Sequence, residues 1–276
     1  MTVSGLAAIQ LVAIDLDGTL LDSHKTISPR CVQAIAAAQT TGMHIVIASA
    51  RPPRSVRKFY RQLQLTTPQI NYNGALVWNE PTRQHLLHAP LAATIALDMI
   101  HQARQRFPEL LVSVETLDRW YTDHLGPLAD FELETAKEFT PDYIGPLDPV
   151  LTDPITKLML MGEDTWIDTL ELAFRDYTQV ALARSDGHML QLMAPQVSKG
   201  SGLAWVADHL GVPATACAAI GDADNDLPML HWAGHTFAVA NAWPQVRDYV
   251  QHMLPSHDED GVAKGLELIL AARENA

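Results

Sequence analysis

The chain has 276 residues, 47% of them hydrophobic, and a formal net charge of −13. That length holds one large domain or two smaller ones, with enough apolar content for a packed core. The charge argues against the basic surface that non-specific nucleic-acid binding requires, and it leaves any anionic substrate in need of local positive charge or a metal ion.

Ile9 to Ile14 is mostly apolar and rich in β-branched residues, and reads as a strand buried on both faces. It ends on Asp15 and Asp17, followed at once by Gly18 and Thr19. Two carboxylates there lie at the carboxyl edge of a sheet, where open α/β sheets bind ligands. Ser28-Pro29, then Val32, Ile35 and Ala36, then Gly42, read as a helix with Ser28 as its N-cap. Met43 to Ala48 is a second buried strand, followed by Ser49-Ala50-Arg51 and a helix carrying Val56, Phe59, Tyr60 and Leu63. Ile70 and its neighbours form a third strand, and Asn73-Gly74 signals a hairpin into Ala75–Trp78. This alternation predicts a doubly wound parallel sheet.

The pattern changes after Glu80. A helix is expected over Thr94 to Phe107, a hairpin from Leu110–Glu115 and Arg119–Asp123, and a mixed stretch from Gly126 to Ile144. A strand over Ile155–Met161, a helix over Thr165–Arg175 and a hairpin around Asp186-Gly187 follow. Antiparallel hairpins mixed with helices predict an inserted α+β domain at residues 83–192, splitting an α/β core of residues 1–82 and 193–276. Met159, Met161, Met189 and Met193 read as core filler. Arg119, Trp120, Tyr121, His124, Arg184 and His188 read as exposed hairpin residues.

The opening style returns after Pro195. Ser198 to Leu210 is a helix opened by Lys199, and Thr215 to Ile220 a strand ending in Gly221-Asp222-Ala223-Asp224-Asn225-Asp226. A strand over His235–Ala240, a helix from Pro244, a short strand near Met253 and a C-terminal helix complete the chain. Cys31 and Cys217 fall in a helical and a strand-like pattern, so buried reduced thiols are expected rather than a disulfide. No signal peptide and no membrane-span length are seen, so a cytoplasmic protein is expected.

Three strand ends thus hold unusual polar residues: Asp15 and Asp17, Ser49, and Asp222 to Asp226. All can meet at one edge of one sheet. A lysine at a helix N-terminus opposes the macrodipole and wants a local reason. Crowded carboxylates call for a hard divalent cation, and Mg²⁺ fits best beside a phosphate. Carboxylates, metal, lysine and a serine hydroxyl are what phosphoryl transfer needs.

Here the sequence resembles the haloacid dehalogenase (HAD) superfamily. Asp15-Leu-Asp-Gly-Thr-Leu looks like its first motif, Ser49-Ala-Arg its second, Val197-Ser-Lys-Gly its third and Gly221-Asp-Ala-Asp-Asn-Asp its fourth. The insertion resembles the type IIB cap of Cof-type phosphatases. Asn73-Gly-Ala, Ala240-Asn-Ala and Asp260-Gly-Val-Ala are echoes of the same branch.

The resemblance implies roles. Asp15 is similar to the nucleophile that forms an aspartyl-phosphate, and Asp17 to the acid that protonates the leaving oxygen and then activates water. That acid role needs a raised pKa, which neighbouring carboxylates could supply. Ser49 and the Ala50 amide resemble the phosphate clamp, and Lys199 the cation screening nucleophile from phosphate. Asp222, Asp15 and the Asp17 backbone carbonyl resemble the Mg²⁺ site. Asn225 and Asp226 would support phosphate, lysine and metal-bound water, with Arg51, Asn73 and Asn241 as further supporting residues. Ser49 keeps the hydroxyl of the branch's usual Thr, Ala50 replaces Gly, and Gln191 stands where Glu is frequent.

The implied activity is a Mg²⁺-dependent phosphatase for a small phosphorylated metabolite, with no nucleic-acid or membrane partner. A phosphomutase of the phosphomannomutase-like branch shares the core motifs. A non-catalytic phosphometabolite-binding protein is a third reading, against which the intact Asp15, Asp17, Lys199 and Asp222 speak.

Overall fold

A computed structural model describes residues 3–125 and 138–275. Residues 126–137 of the stretch expected to be mixed lie outside the described residues. The chain divides into two compact units, Met1–Leu86 with Ser198–Ala276, and Leu87–Val197.

The first unit begins with β1 (Leu11–Ile14), α1 (Pro29–Thr40), β2 (His44–Ile47), α2 (Pro53–Gln62), β3 (Gln69–Asn71), β4 (Leu76–Asn79) and β5 (Gln84–His88), whose last residues cross into the second unit. The second unit carries α3 (Ala93–Arg106), β6 (Leu111–Thr116), β7 (Arg119–Thr122), β8 (Tyr143–Ile144), β9 (Lys157–Met161), α4 (Asp164–Phe174), β10 (Ala181–Asp186) and β11 (Met189–Met193). The chain then returns with α5 (Lys199–Leu210), β12 (Cys217–Gly221), α6 (Leu227–Trp232), β13 (His235–Val239), α7 (Pro244–Tyr249), β14 (His252–Leu254) and α8 (Gly261–Glu274).

The central sheet has the order β14-β13-β12-β1-β2, and every pairing is parallel. From β1 the chain moves to β2 on one side, while β12, β13 and β14 fill the other. The order therefore reverses between β1 and β12. In a doubly wound sheet that switch point opens the crevice at the strand carboxyl ends. Ile14 lies beside Ile220, so Asp15 and Asp222 leave adjacent strands at that crevice.

Local chemistry sets the flanking helices. The Cys31 amide donates to Ser28 Oγ at 3.1 Å, and Pro29 opens α1 without needing a donor. Cys31, Ala34, Ile35 and Ala38 then form its buried stripe against Ile45 and Ile47. Ser198 caps α5 reciprocally with Ser201, at 3.0 Å in each direction, and Gly211 ends it at φ +70°. Both cysteines are buried and unbridged, as their patterns predict.

The Ile70 strand departs from expectation. β3 meets the parallel sheet only through a single bridge from Ile70 to Ala48, and otherwise pairs antiparallel with β4. Asn71 pairs with Leu76, so the loop spans Tyr72 to Ala75, wider than the tight turn that Asn-Gly signals. Tyr72, Asn73 and Gly74 all take positive φ, at 48°, 53° and 97°, which reverses the chain before it can extend along β2.

In the second unit the sheet order is β10-β11-β9-β6-β7-β8, antiparallel except for β7 with β8. Residues of α3 and α4 pack with Val112, Val114, Leu158, Leu160, Leu190 and Leu192 into one core. Leu111, Trp120, Met159, Met161 and Met189 form a second cluster. Trp120 is thus a correction: it is only 2% exposed, because strand alternation turns it opposite to the exposed Arg119. Met159, Met161, Met189 and Met193 are buried, as core filler should be. Among the described residues no helix is long and apolar enough to cross a membrane.

Candidate active site

Asp15, at the end of β1, is 4% exposed, and its amide donates to the Ile220 carbonyl at 3.0 Å, which fixes its backbone to the neighbouring strand. Lys199, the first residue of α5, is buried and donates through Nζ to Asp15 Oδ1 at 2.5 Å and to Asp226 Oδ1 at 2.6 Å. This is the local reason for a cation at a helix N-terminus: two carboxylates outweigh the opposing dipole.

Asp226 is placed by the turn after β12. The amides of Asp222 and Ala223 donate to its Oδ2 at 2.9 and 3.1 Å, so the chain folds back over Gly221. A side chain at Gly221 would meet Asp226 Cβ at 2.6 Å, which explains glycine there. Asp222 accepts from Thr19 Oγ1 at 2.7 Å, and a Cβ on Gly18, at φ +82°, would lie 2.5 Å from Asp222 Oδ2. Carboxylate oxygens of Asp15, Asp222 and Asp226 lie within 4.8 Å of one another, all three buried.

One ammonium facing three buried carboxylates leaves negative charge uncompensated. Burial, helped by the charges of Asp226 and Asp222 and opposed by Lys199, pushes the Asp15 carboxyl well above its ordinary range. Burial first, then Asp226, raises Asp222 against the Thr19 hydrogen bond. Burial would lower Lys199, but the charges of Asp15 and Asp226 win and hold it firmly protonated.

Asp17 is a correction in its surroundings, where neighbouring carboxylates were expected to raise its pKa. Its side chain instead bonds two cations, with Arg51 Nε and Nη2 each donating at 2.6 Å and Lys25 Nζ at 2.8 Å. Burial alone would raise its pKa, but Arg51 and then Lys25 outweigh it and hold it at about 2. The third carboxylate of the cluster is Asp226.

The remaining expected residues form a connected rim. Ser49 is buried; its Oγ accepts from the Arg51 amide at 3.1 Å, and its carbonyl accepts from the Asn73 amide at 3.1 Å. Asn225 Nδ2 donates to Asn73 Oδ1 at 3.1 Å, joining the strand-end loops that follow β3 and β12. Asn241 donates to the Gly18 carbonyl at 2.7 Å and accepts from the His257 amide at 3.0 Å, tying the loop after β1 to the chain between β14 and α8. Ala50 is half-buried beside Ser49. Lys25 and Thr19 escaped the sequence reading. Thr19 was in plain view after Asp-x-Asp-Gly, whereas Lys25 lies in a polar loop with no periodic signal.

The haloacid dehalogenase-like hydrolase family matches residues 12–266. The sequence is 29% identical over 263 residues to 5-amino-6-(5-phospho-D-ribitylamino)uracil phosphatase YitU of Bacillus subtilis (strain 168), spanning 93% of this chain and 96% of that protein. A haloacid dehalogenase-like hydrolase from Bacteroides thetaiotaomicron matches with a TM-score of 0.83 and 25% identity, over 95% of this chain and 99% of that one. The fold also matches the HAD subclass IIB sugar phosphatase BT4131, with a TM-score of 0.79 and 15% identity, over 94% of this chain and 98% of that one.

Proposed function

Because this chain belongs to the haloacid dehalogenase-like hydrolases, as a Cof-type phosphatase with a type IIB cap, we propose that it hydrolyses phosphate monoesters of small metabolites with Mg²⁺, by way of a phosphoryl group carried on Asp15. The observation that carries this reading is the buried cluster of Asp15, Asp222 and Asp226 around Lys199. Its donors are all oxygen and leave negative charge unbalanced, a set that fits a small hard cation. Mg²⁺ held by Asp15 and Asp222, with Asp226 close by, would neutralise phosphoryl oxygens and draw the ester onto Asp15.

On this reading an Asp15 oxygen attacks phosphorus in line, the ester P–O bond breaks, and the leaving oxygen takes a proton from Asp17. Asp17 then removes a proton from the water that attacks the phosphoryl group, which frees phosphate and restores Asp15. Lys199 offsets the charge of nucleophile and phosphoryl oxygens, while Ser49, the Ala50 amide and Asn225 hold the phosphoryl group from the rim. Asp17 as observed is ionised, ready for the second step. The first step requires a proton on one of its oxygens, where a donor gives way while the remaining contacts to Arg51 and Lys25 keep the carboxyl oriented.

Residues 1–82 and 193–276 carry this chemistry in our reading, and the inserted residues 83–192 select the substrate. The name of YitU supports a phosphorylated polyol or sugar-like metabolite as the substrate class. The test is a phosphate-release screen over phosphorylated sugars, polyols and nucleotides in Mg²⁺. Turnover confined to small esters supports the reading. Release of no phosphate from any of them contradicts it.

A further inference from the structure

Asp17 must present its carboxyl to one oxygen, the leaving oxygen of the ester, so its orientation matters as much as its charge. Arg51 grips both carboxylate oxygens from the loop after β2. Lys25 reaches Oδ1 from the other side, out of a loop with its own internal construction.

That construction centres on Asp22. Its Oδ1 accepts from the amides of His24 and Thr26, both at 2.9 Å, and its Oδ2 accepts from Thr26 Oγ1 at 2.7 Å. The Asp22 amide donates to the Thr26 carbonyl at 3.0 Å and the Lys25 amide to the Asp22 carbonyl at 2.9 Å, closing the turn on itself. Asp258 accepts from the Ser23 amide at 2.8 Å and anchors the tip to the chain before α8. Lys25 is held at φ +58°, a left-handed conformation that a lysine adopts only when its surroundings impose it. The backbone also coils through a full turn, with Asp17 bridged in parallel to Leu21. The result brings a lysine eight positions along the chain back onto Asp17.

We infer that Lys25 is a positioning residue for Asp17: the Asp22-built turn aims its ammonium at Oδ1, so that Lys25 and Arg51 together hold the carboxyl in the one orientation that serves the leaving oxygen. The inference rests on the assignment of leaving-group protonation to Asp17. A side chain that only stabilised the loop would slow all substrates alike. One that orients a proton donor slows poor leaving groups more than good ones, because a good leaving group needs little protonation.

The experiment compares kcat/KM for phenyl phosphate and 4-nitrophenyl phosphate in the full-length Mg²⁺-loaded enzyme, with Lys25→Met, Lys25→Arg, Asp22→Ala and Asp17→Asn variants. Since a positioned general acid contributes about 10²–10⁴-fold in total, Lys25→Met is expected to lose about fivefold to tenfold more on phenyl than on 4-nitrophenyl phosphate. Asp22→Ala, which keeps the lysine but removes its turn, should show the same selective loss, and Lys25→Arg should recover most of it. Equal losses on both esters in Lys25→Met, with a selective loss in Asp17→Asn, overturn the role of Lys25 alone. No selectivity in Asp17→Asn overturns the proton-donor assignment itself, and the inference falls with it.

Discussion

Asp15 and Asp17 are separated by one residue yet stand in opposite electrostatic surroundings. Asp15 is buried with Asp222, Asp226 and Lys199, and its carboxyl is pushed up. Asp17 is more open, lies between Arg51 and Lys25, and is held at about 2. Asp15 is fixed against Ile220 where β1 ends, whereas Asp17 lies beyond the strand in the loop, which turns its carboxylate to Arg51 and Lys25. These pKa directions are the reverse of what a nucleophile at Asp15 and a proton donor at Asp17 need: a cation bound beside Asp15 would lower it, and Asp17 can donate only once one of its cations yields.

Metal dependence follows from the cluster. Turnover of 4-nitrophenyl phosphate should vanish in excess chelator and return on adding Mg²⁺. Ca²⁺ should restore it poorly, since it favours longer bonds and more ligands. Thermal unfolding should move to higher temperature with Mg²⁺, because a cation bound only by the folded state stabilises it. The Mg²⁺ shift should disappear in Asp222→Asn, and an unchanged shift there would displace the proposed site.

Lys199 supplies the only positive charge in direct contact with Asp15 among the described hydrogen bonds. Removing one partner of a buried ion pair typically costs about 3–5 kcal/mol. Lys199→Met should lose stability of that order at neutral pH, measured by urea unfolding of metal-free protein, and all detectable turnover. With the cation gone, the folded-state carboxyls bind protons more tightly than in the unfolded chain. The variant should therefore regain stability as pH falls from neutral toward the carboxylate range, the reverse of ordinary acid destabilisation.

Gly74 tests the geometry of the rim. Its φ is +97°, and a Cβ there would collide with the carbonyl of Ser198, the cap of the helix that carries Lys199. Gly74→Ala should cost about 1–3 kcal/mol of stability or more, and should lower kcat through displacement of Lys199. Wild-type kcat in a stably folded Gly74→Ala variant would show that this turn does not help place the lysine.

The thiols give a prediction in pH. Burial pushes Cys217 up to about 11 and also raises Cys31. Above about pH 8.5 the unfolded chain loses thiol protons that the folded chain keeps. The contribution is whole below that pH and fades as pH rises through about 11, by about 3 kcal/mol for Cys217. Cys217→Ala should flatten the alkaline fall in urea-unfolding stability, and native protein should resist thiol reagents at neutral pH.

Much of the site was legible because charge directly after a buried strand stands out. Asp15 and Asp222 were readable that way, and Ser28 and Ser198 as caps beside apolar stripes. What escaped depends on side-chain direction and loop geometry. Asp226 was read as a support for the lysine, which it contacts, but its place among the carboxylates depends on the turn after Gly221 that folds it back. Asp17 was read among carboxylates, whereas the loop after β1 turns it toward Arg51 and Lys25. Lys25 reaches it through a left-handed turn that depends on a single aspartate. Trp120 shows the same limit in a short hairpin, where either face could have been the buried one.

The central claim is that Asp15 carries the phosphoryl group, and it is most directly tested by trapping. Asp17→Asn should still accept a phosphoryl group from 4-nitrophenyl phosphate, whose leaving group needs little protonation, but should release it slowly for want of a base. Rapid acid quench followed by peptide mass mapping should then find a phosphoryl group on the peptide containing Asp15, and none in Asp15→Asn. A wild-type reaction that inverts configuration at phosphorus would contradict the account, because two in-line displacements give retention.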